Sequence, residues 1–321
     1  MTNGAIHVQN LAKRYGEFVA VDDVSFSVPS GQIFGFLGPN GAGKSTTVKI
    51  LTTLALPSAG TATVGGYDVV DEAAAIRRVA GVALQDVGLD PLMKPMELFR
   101  IQGQFFGMSR QEATQRGEEL LELVRLTEAR ERRVGTYSGG MKRRLDLALA
   151  LIHDPDILFL DEPTTGLDPA SRRDVWREVE RLNRELGMTI FLTTQYLEEA
   201  DALADVVAII DRGRLVAEGA PEKLKARLGD ETINLTFANQ AVAADALNIL
   251  QDMGQLQLDR ETVRLYLPEA AAAVAQVVGR LQSADLTLSS LTLTQPTLDD
   301  VFLELTGQRL EAEAATETGE I

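Results

Sequence analysis

The chain has 321 residues, long for one ordinary domain and right for two, with 45% hydrophobic and 24% charged residues, the balance of a globular protein with real cores. Its 31 Lys and Arg stand against 47 Asp and Glu, and the resulting formal charge of −16 repels polyanions and excludes an ordinary nucleic-acid binder. The absence of cysteine, with His7 and His153 the only histidines, excludes a disulfide framework, a thiolate or histidine zinc site and a cysteine nucleophile.

The first segments, Ala5–Gln9, Phe18–Val21 and Val24–Val28, read as antiparallel strands, preceded by an N-terminus without the basic and apolar regions of a signal peptide. Ile33–Leu37 is a continuous apolar run, as expected of a strand buried on both faces, and leads through a glycine-rich turn into a helix from about Lys44. Ala62–Val69, with Gly65-Gly66 inside it, reads as a hairpin, and Ala80–Leu84 as another buried strand. From Pro95 to Ile152 the pattern is helical, with an amphipathic helix over Gln111–Leu126. Strand runs then alternate with helices: Ile157–Leu160, the helix Pro169–Leu186, Thr189–Thr193, the helix Tyr196–Leu203, and Val206–Ile210. This alternation predicts an α/β fold, a mainly parallel sheet under helices, with an antiparallel β subdomain and a helical subdomain over about 86–152.

Composition shifts near Leu228-Gly229-Asp230, which places a first domain over 1–228 and a second over 229–306. The second reads as strand Thr232–Phe237, helix Val242–Met253, strands Gln255–Asp259 and Thr262–Leu267, helix Glu269–Gln282 and a strand within Leu286–Thr294. That β-α-β-β-α-β order is the ferredoxin-like split motif, a small α+β domain. Thr297 caps a last helix, with Asp300 at the capping-box position and Val301, Phe302 and Leu305 on its apolar side. The acidic stretch 307–321 reads as a disordered tail. No run approaches the roughly 18 apolar residues of a membrane span, so the sequence reads as that of a cytoplasmic protein.

Residues Gly38-Pro39-Asn40-Gly41-Ala42-Gly43-Lys44-Ser45 match the P-loop pattern G-x-x-x-x-G-K-[ST]. Its glycines let successive N–H groups turn inward at a helix N-terminus, where the helix dipole also favours an anion. The phosphate-contacting candidates are Gly38, Asn40, Gly41, Ala42, Gly43, Lys44, Ser45 and Thr46; Lys44 reaches the β- and γ-phosphates and Ser45 the Mg²⁺ that accompanies ATP. Ile157–Asp161 ends a buried strand in a carboxylate at the same sheet edge, so Asp161 suits the Mg²⁺ shell and Glu162 the activation of water.

Tyr137-Ser138-Gly139-Gly140-Met141 resembles the signature motif of ABC ATPases, and the resemblance covers roughly residues 5–220. It implies a head-to-tail homodimer with ATP between the subunits, Ser138 and Gly140 of one touching the γ-phosphate held by Lys44 of the other. Tyr15 resembles the aromatic that stacks on adenine, Gln85 the glutamine that senses Mg²⁺ and the attacking water, and Asp168 of Gly166-Leu167-Asp168 the aspartate that crosses the dimer interface. The stretch Asp86–Met96 lies where family members meet an integral-membrane permease. Gln195 departs from the pattern: most members carry histidine there. A glutamine amide still donates a hydrogen bond to phosphate but cannot become cationic, so slowed hydrolysis is expected, with Glu162 the main catalytic carboxylate.

Gln195 together with Gln295-Pro296-Thr297-Leu298-Asp299-Asp300-Val301-Phe302-Leu303 resembles the daunorubicin-resistance type of export ATPases. That resemblance implies the ATP-hydrolysing subunit of a bacterial exporter, peripheral on the cytoplasmic face of the plasma membrane, with its last domain regulating or bracing the dimer. Two rival readings stay open, a soluble ABC ATPase and a non-hydrolysing ATP-binding regulator. The −16 charge opposes ribosome or DNA binding, and Glu162 opposes the regulator. Lys142-Arg143-Arg144 reads as a solvated helix face before it reads as a contact to another subunit or to lipid.

Overall fold

Over Val24–Val28 every second side chain turns inward, as a half-buried antiparallel strand requires. In the computed structural model this run belongs to β2 (Phe18–Pro29), paired with β1 (Gly4–Tyr15). Both strands are longer than their sequence patterns, and the separate segments Phe18–Val21 and Val24–Val28 are one strand. The Asp22-Asp23 pair resembles a turn but forms a bulge: the register slips there, Asp23 takes φ 57°, and its carboxylate accepts from Asn10 Nδ2 at 2.8 Å. The structure describes residues 4–228, 231–267 and 270–307, and its contacts separate two units, Met1–Glu218 and Gly219–Ile321. The division falls ahead of the composition shift, whose Gly229-Asp230 lies outside the described residues, as does the tail from Gln308.

The chain continues with β3 (Ile33–Leu37), α1 (Lys44–Leu51), β4 (Ala59–Val64), β5 (Tyr67–Asp68), α2 (Ala73–Val79) and β6 (Ala80–Ala83). The β4–β5 hairpin turns on Gly65 and Gly66, both at positive φ, the conformation its two-residue loop demands. The helical lobe holds α3 (Pro95–Phe105), α4 (Arg110–Leu123) and α5 (Gly139–Ala150). Helix α4 stops short of the expected Leu126 because Arg125 turns left-handed at φ 55°. Then come β7 (Ile157–Asp161), α6 (Pro169–Leu186), β8 (Thr189–Thr194), α7 (Leu197–Leu203), β9 (Val206–Asp211) and β10 (Arg214–Gly219).

The six-stranded sheet runs β10-β9-β3-β8-β7-β6, with β9, β3, β8, β7 and β6 in parallel register. Every residue of β3, β7 and β8 is buried, so this sheet is covered on both faces, as parallel sheets are. On one face Phe34, Phe36 and Phe191 meet Phe26 of the four-stranded antiparallel sheet β2-β1-β4-β5, and Phe159 meets Phe191, with centroids 5.3 to 5.8 Å apart. Each such pair adds about 0.5–1.5 kcal/mol beyond area burial. Leu145, Leu147, Val175 and Val179 from α5 and α6 belong to the core on the other face.

The second unit contains α8 (Pro221–Lys225), β11 (Glu231–Thr236), α9 (Gln240–Leu250), β12 (Gln255–Asp259), β13 (Thr262–Leu267), α10 (Ala270–Ser283), β14 (Ser290–Thr294) and α11 (Leu298–Thr306). All neighbouring strands are antiparallel in the order β12-β13-β11-β14, the ferredoxin-like arrangement. Helix α9 begins at Gln240, earlier than its apolar pattern, because Asn239 caps it by accepting from Val242 N at 3.1 Å. Glu269, the expected start of the next helix, lies outside the described residues. Val263 and Leu265 face the core shared with α9 and α10, so Arg264 and Tyr266 face the opposite side. On that side Arg264 pairs with Asp300 of α11. Val301 and Phe302 are buried as expected, whereas Leu305 stays 38% exposed.

Candidate active site

Between β3 and α1 the backbone of Gly38–Gly43 closes on itself. A side chain on Gly38 would lie 2.2 Å from the Ile210 carbonyl oxygen, and one on Gly43, at φ 106°, 2.4 Å from that of Ala20. Only glycine permits both approaches. Gly43 gives α1 no side-chain cap, so its first N–H groups stay available to an anion. Ala42 is buried; Asn40 and Gly41 are exposed, and Ser45 and Thr46 half-buried. The Lys44 ammonium is 3% exposed and donates to Gly38 O at 2.7 Å and Pro39 O at 3.0 Å, and pairs with Glu162 Oε1 at 3.1 Å. Burial pulls its pKa below the usual lysine range, against the opposing pull of Glu162 and Asp161.

The end of β7 meets this loop. Asp161 Oδ1 accepts from Ser45 Oγ at 3.1 Å and from Thr193 Oγ1 at 2.6 Å. Glu162 follows with a left-handed backbone, φ 48°, and its N–H reaches Thr193 O and Oγ1, each at 3.1 Å. Its Oε2 accepts from Gln85 Nε2 at 3.2 Å and Thr165 Oγ1 at 3.3 Å. Five sequence-predicted residues, Lys44, Ser45, Gln85, Asp161 and Glu162, thus come together in space. Ser45 and Asp161 offer hard oxygens side by side, the donor set that suits Mg²⁺, which takes few protein ligands and keeps water and phosphate oxygens. Among the described residues no cluster of three or more acids or histidines forms an all-protein metal cage.

Five more predicted residues stand outside this hydrogen-bond network. Ser138 is the exposed N-cap of α5, accepting from Met141 N at 3.3 Å. Gly140 is buried where a side chain would lie 2.7 Å from Ser171 Oγ. Asp168 is exposed and caps α6, with Ser171 Oγ at 2.5 Å; that hydrogen bond leads the effects that hold its carboxyl below the usual range. Tyr15 is 49% exposed, with Lys13 Nζ 4.9 Å from its ring centroid. Gln195 follows β8 and is half-buried. Among the described residues, none of these five bonds to the Lys44–Glu162 cluster.

The sequence reading missed Thr193 and Thr165, whose hydroxyls orient the two carboxylates. It also misplaced Arg143. The Lys142-Arg143-Arg144 run is not a solvated face: Arg143 is 3% exposed, and Arg144 Nη1 donates to Val124 O at 3.0 Å. The signal was present in the spacing, since Gly140, Arg143 and Leu147 lie on one helical stripe and the stripe is buried.

The chain matches two family models, "ABC transporter" over residues 21–165 and "ATP-binding protein DrrA1-3-like, C-terminal domain" over 219–306. It is 42% identical over 316 residues to the doxorubicin resistance ATP-binding protein DrrA of Mycobacterium tuberculosis, covering 96% of this chain and 95% of that one. It is 43% identical over 309 residues to the daunorubicin resistance ATP-binding protein DrrA3 of Streptomyces coeruleorubidus, covering 96% and 97%. Among solved structures it resembles a dimeric ATP-binding cassette in a post-hydrolysis state with ADP and Pi, at TM-score 0.61 and 27% identity, covering 67% of this chain and 98% of that one.

Proposed function

The chain belongs to the ABC transporter family, as an ATP-hydrolysing, ATP-binding subunit of the exporter type, and from that premise we propose how its residues divide the work. The observation that carries the reading is the Lys44–Glu162–Gln85 contact beside Ser45–Asp161. The backbone N–H groups of Asn40, Gly41 and Gly43–Ser45 bind the β- and γ-phosphates, and the Lys44 ammonium exchanges Glu162 for phosphate oxygens. Glu162, released from that pair, accepts a proton from the attacking water as the water oxygen bonds to the γ-phosphorus and the bridging β–γ oxygen leaves with ADP. Gln85 orients that water through its amide. Ser45 and Asp161 would hold Mg²⁺, which would neutralise charge on the phosphates. Gln195 donates a neutral hydrogen bond to the γ-phosphate, and Tyr15 stacks on adenine.

The corner at Ser138, exposed there and at Gly139, faces the γ-phosphate bound by a second copy together with Gly140, and Asp168 crosses between the copies. The homodimer works with a separate integral-membrane permease at the cytoplasmic face of the plasma membrane. No described helix is long and apolar enough to cross a membrane, so the channel comes from that partner. The relatives named for doxorubicin and daunorubicin resistance point to a drug or lipid-like amphiphile as the exported class. The second unit serves as a regulatory or dimer-contact domain.

The test is phosphate release and oligomeric state with three proteins: parent, Lys44→Ala and Glu162→Gln. The parent releases phosphate from ATP; Lys44→Ala loses ATP binding. Glu162→Gln binds ATP, becomes dimeric with it and turns over at least about a hundredfold more slowly. Parental turnover in Glu162→Gln overturns the assignment. A parent at the Lys44→Ala background, assayed with its permease, favours the ATP-binding regulator, the reading that Gln195 supports.

A further inference from the structure

We propose that Arg143 is a positioning residue for hydrolysis: its buried guanidinium fixes the backbone on both sides of Glu162 and just ahead of Gln85. Its Nε donates to Pro163 O at 2.9 Å and Nη2 to Asp161 O at 3.1 Å. Its Nη1 donates to Leu84 O at 2.5 Å and to Asp146 Oδ2 at 3.0 Å. Asp161 and Pro163 flank Glu162, and Leu84 precedes Gln85, whose amide reaches Glu162 at 3.2 Å. One side chain therefore holds the two segments that must converge for the carboxylate and the amide to share a water.

Glu162 gives this grip something to do. Its backbone sits at φ 48°, a conformation a glutamate adopts only where its surroundings impose it. Arg143 bonds to the residue before it and the residue after it. A guanidinium suits the task because its planar fork aims five N–H groups in fixed directions; an ammonium on a flexible stem does not span three carbonyls. Burial pulls the guanidinium's pKa down, and Asp146, one turn along α5, is its nearest compensating charge. Among the described residues Arg143 makes no bond to Lys44 or Ser45, so its effect falls on the chemical step and leaves nucleotide affinity in place. Ser138 caps the start of α5, so the same group ties that corner to the catalytic carboxylate of its own subunit.

The proposal rests on Glu162 being the residue that activates water. The test measures ATP affinity, KM and kcat per nucleotide-binding site in the full chain for Arg143→Met, Arg143→Lys, Glu162→Gln and Leu145→Ala. Leu145 is a buried apolar neighbour on α5 and controls for lost stability. In both Arg143 variants kcat falls about tenfold or more while ATP affinity and KM stay within about threefold. Leu145→Ala lowers the thermal midpoint and keeps kcat within about twofold. Should Arg143→Met fail to fold, Arg143→Lys decides. Full kcat in Arg143→Lys, an equal loss in Leu145→Ala, or a loss confined to KM overturns the proposal. Parental turnover in Glu162→Gln removes the underlying reading instead, whereas an inactive Glu162→Gln beside a fully active Arg143→Lys removes this proposal alone.

Discussion

Gln195 holds the position where a histidine would bring a group that titrates between about pH 5 and 8. A glutamine contributes only a neutral N–H, so kcat carries no imidazole limb. If Gln195 donates to the γ-phosphate as proposed, Gln195→Ala lowers kcat about a hundredfold, because a donor aimed at developing charge is lost. Gln195→His adds a pH-dependent limb, and a flat difference between the two pH–rate profiles would refute the assignment. Much of this site was legible residue by residue. The P-loop pattern selected Lys44 and Ser45, and the apolar run ending in acid selected Asp161 and Glu162. What spacing could not reveal was contact at long separation: Lys44 to Glu162, Asp161 to Thr193, and Arg143 to Leu84. Arg143 was hidden by a sound habit, since charged runs are usually solvated.

The capped helix α11 shows the same limit one level up. Thr297 and Asp300 form a capping box that the sequence displays openly. Nothing local announces that Asp300 also pairs with Arg264 of β13, or that Gln257 Nε2 donates to Asp300 O at 3.2 Å. Asp300 is 4% exposed, and removing one partner of a buried pair costs about 3–5 kcal/mol. Asp300→Ala therefore frees α11 and opens β12 and β13 to amide hydrogen exchange; Asp300→Asn, which keeps an acceptor for the cap, has a smaller effect. Unchanged protection in Asp300→Ala would show that the helix is held by Leu298, Val301 and Phe302 alone. Elements with weak patterns escaped prediction for ordinary reasons. Helix α2 has seven residues and β10 is a sheet-edge strand with a single buried side chain, so neither presents much periodicity.

For the whole molecule, alternating strands and helices announced a parallel sheet because both its faces must be covered, and this makes its strands continuous apolar runs. The β-α-β-β-α-β order of the second unit was equally plain. Every side chain of the candidate cluster belongs to the first unit, Met1–Glu218. A chain cut after Glu218 therefore binds ATP with affinity within about threefold of the full chain, measured by nucleotide titration. A larger loss would mean that the second unit contributes to the nucleotide site.

The backbone at Glu162 has a consequence for attempts to harden this enzyme against heat. The position would rest more easily as glycine or asparagine, so a library screened for survival at high temperature alone is drawn towards replacing the carboxylate proposed to activate water. Screens of this molecule therefore have to score turnover alongside endurance, because at that peptide the two pull in opposite directions.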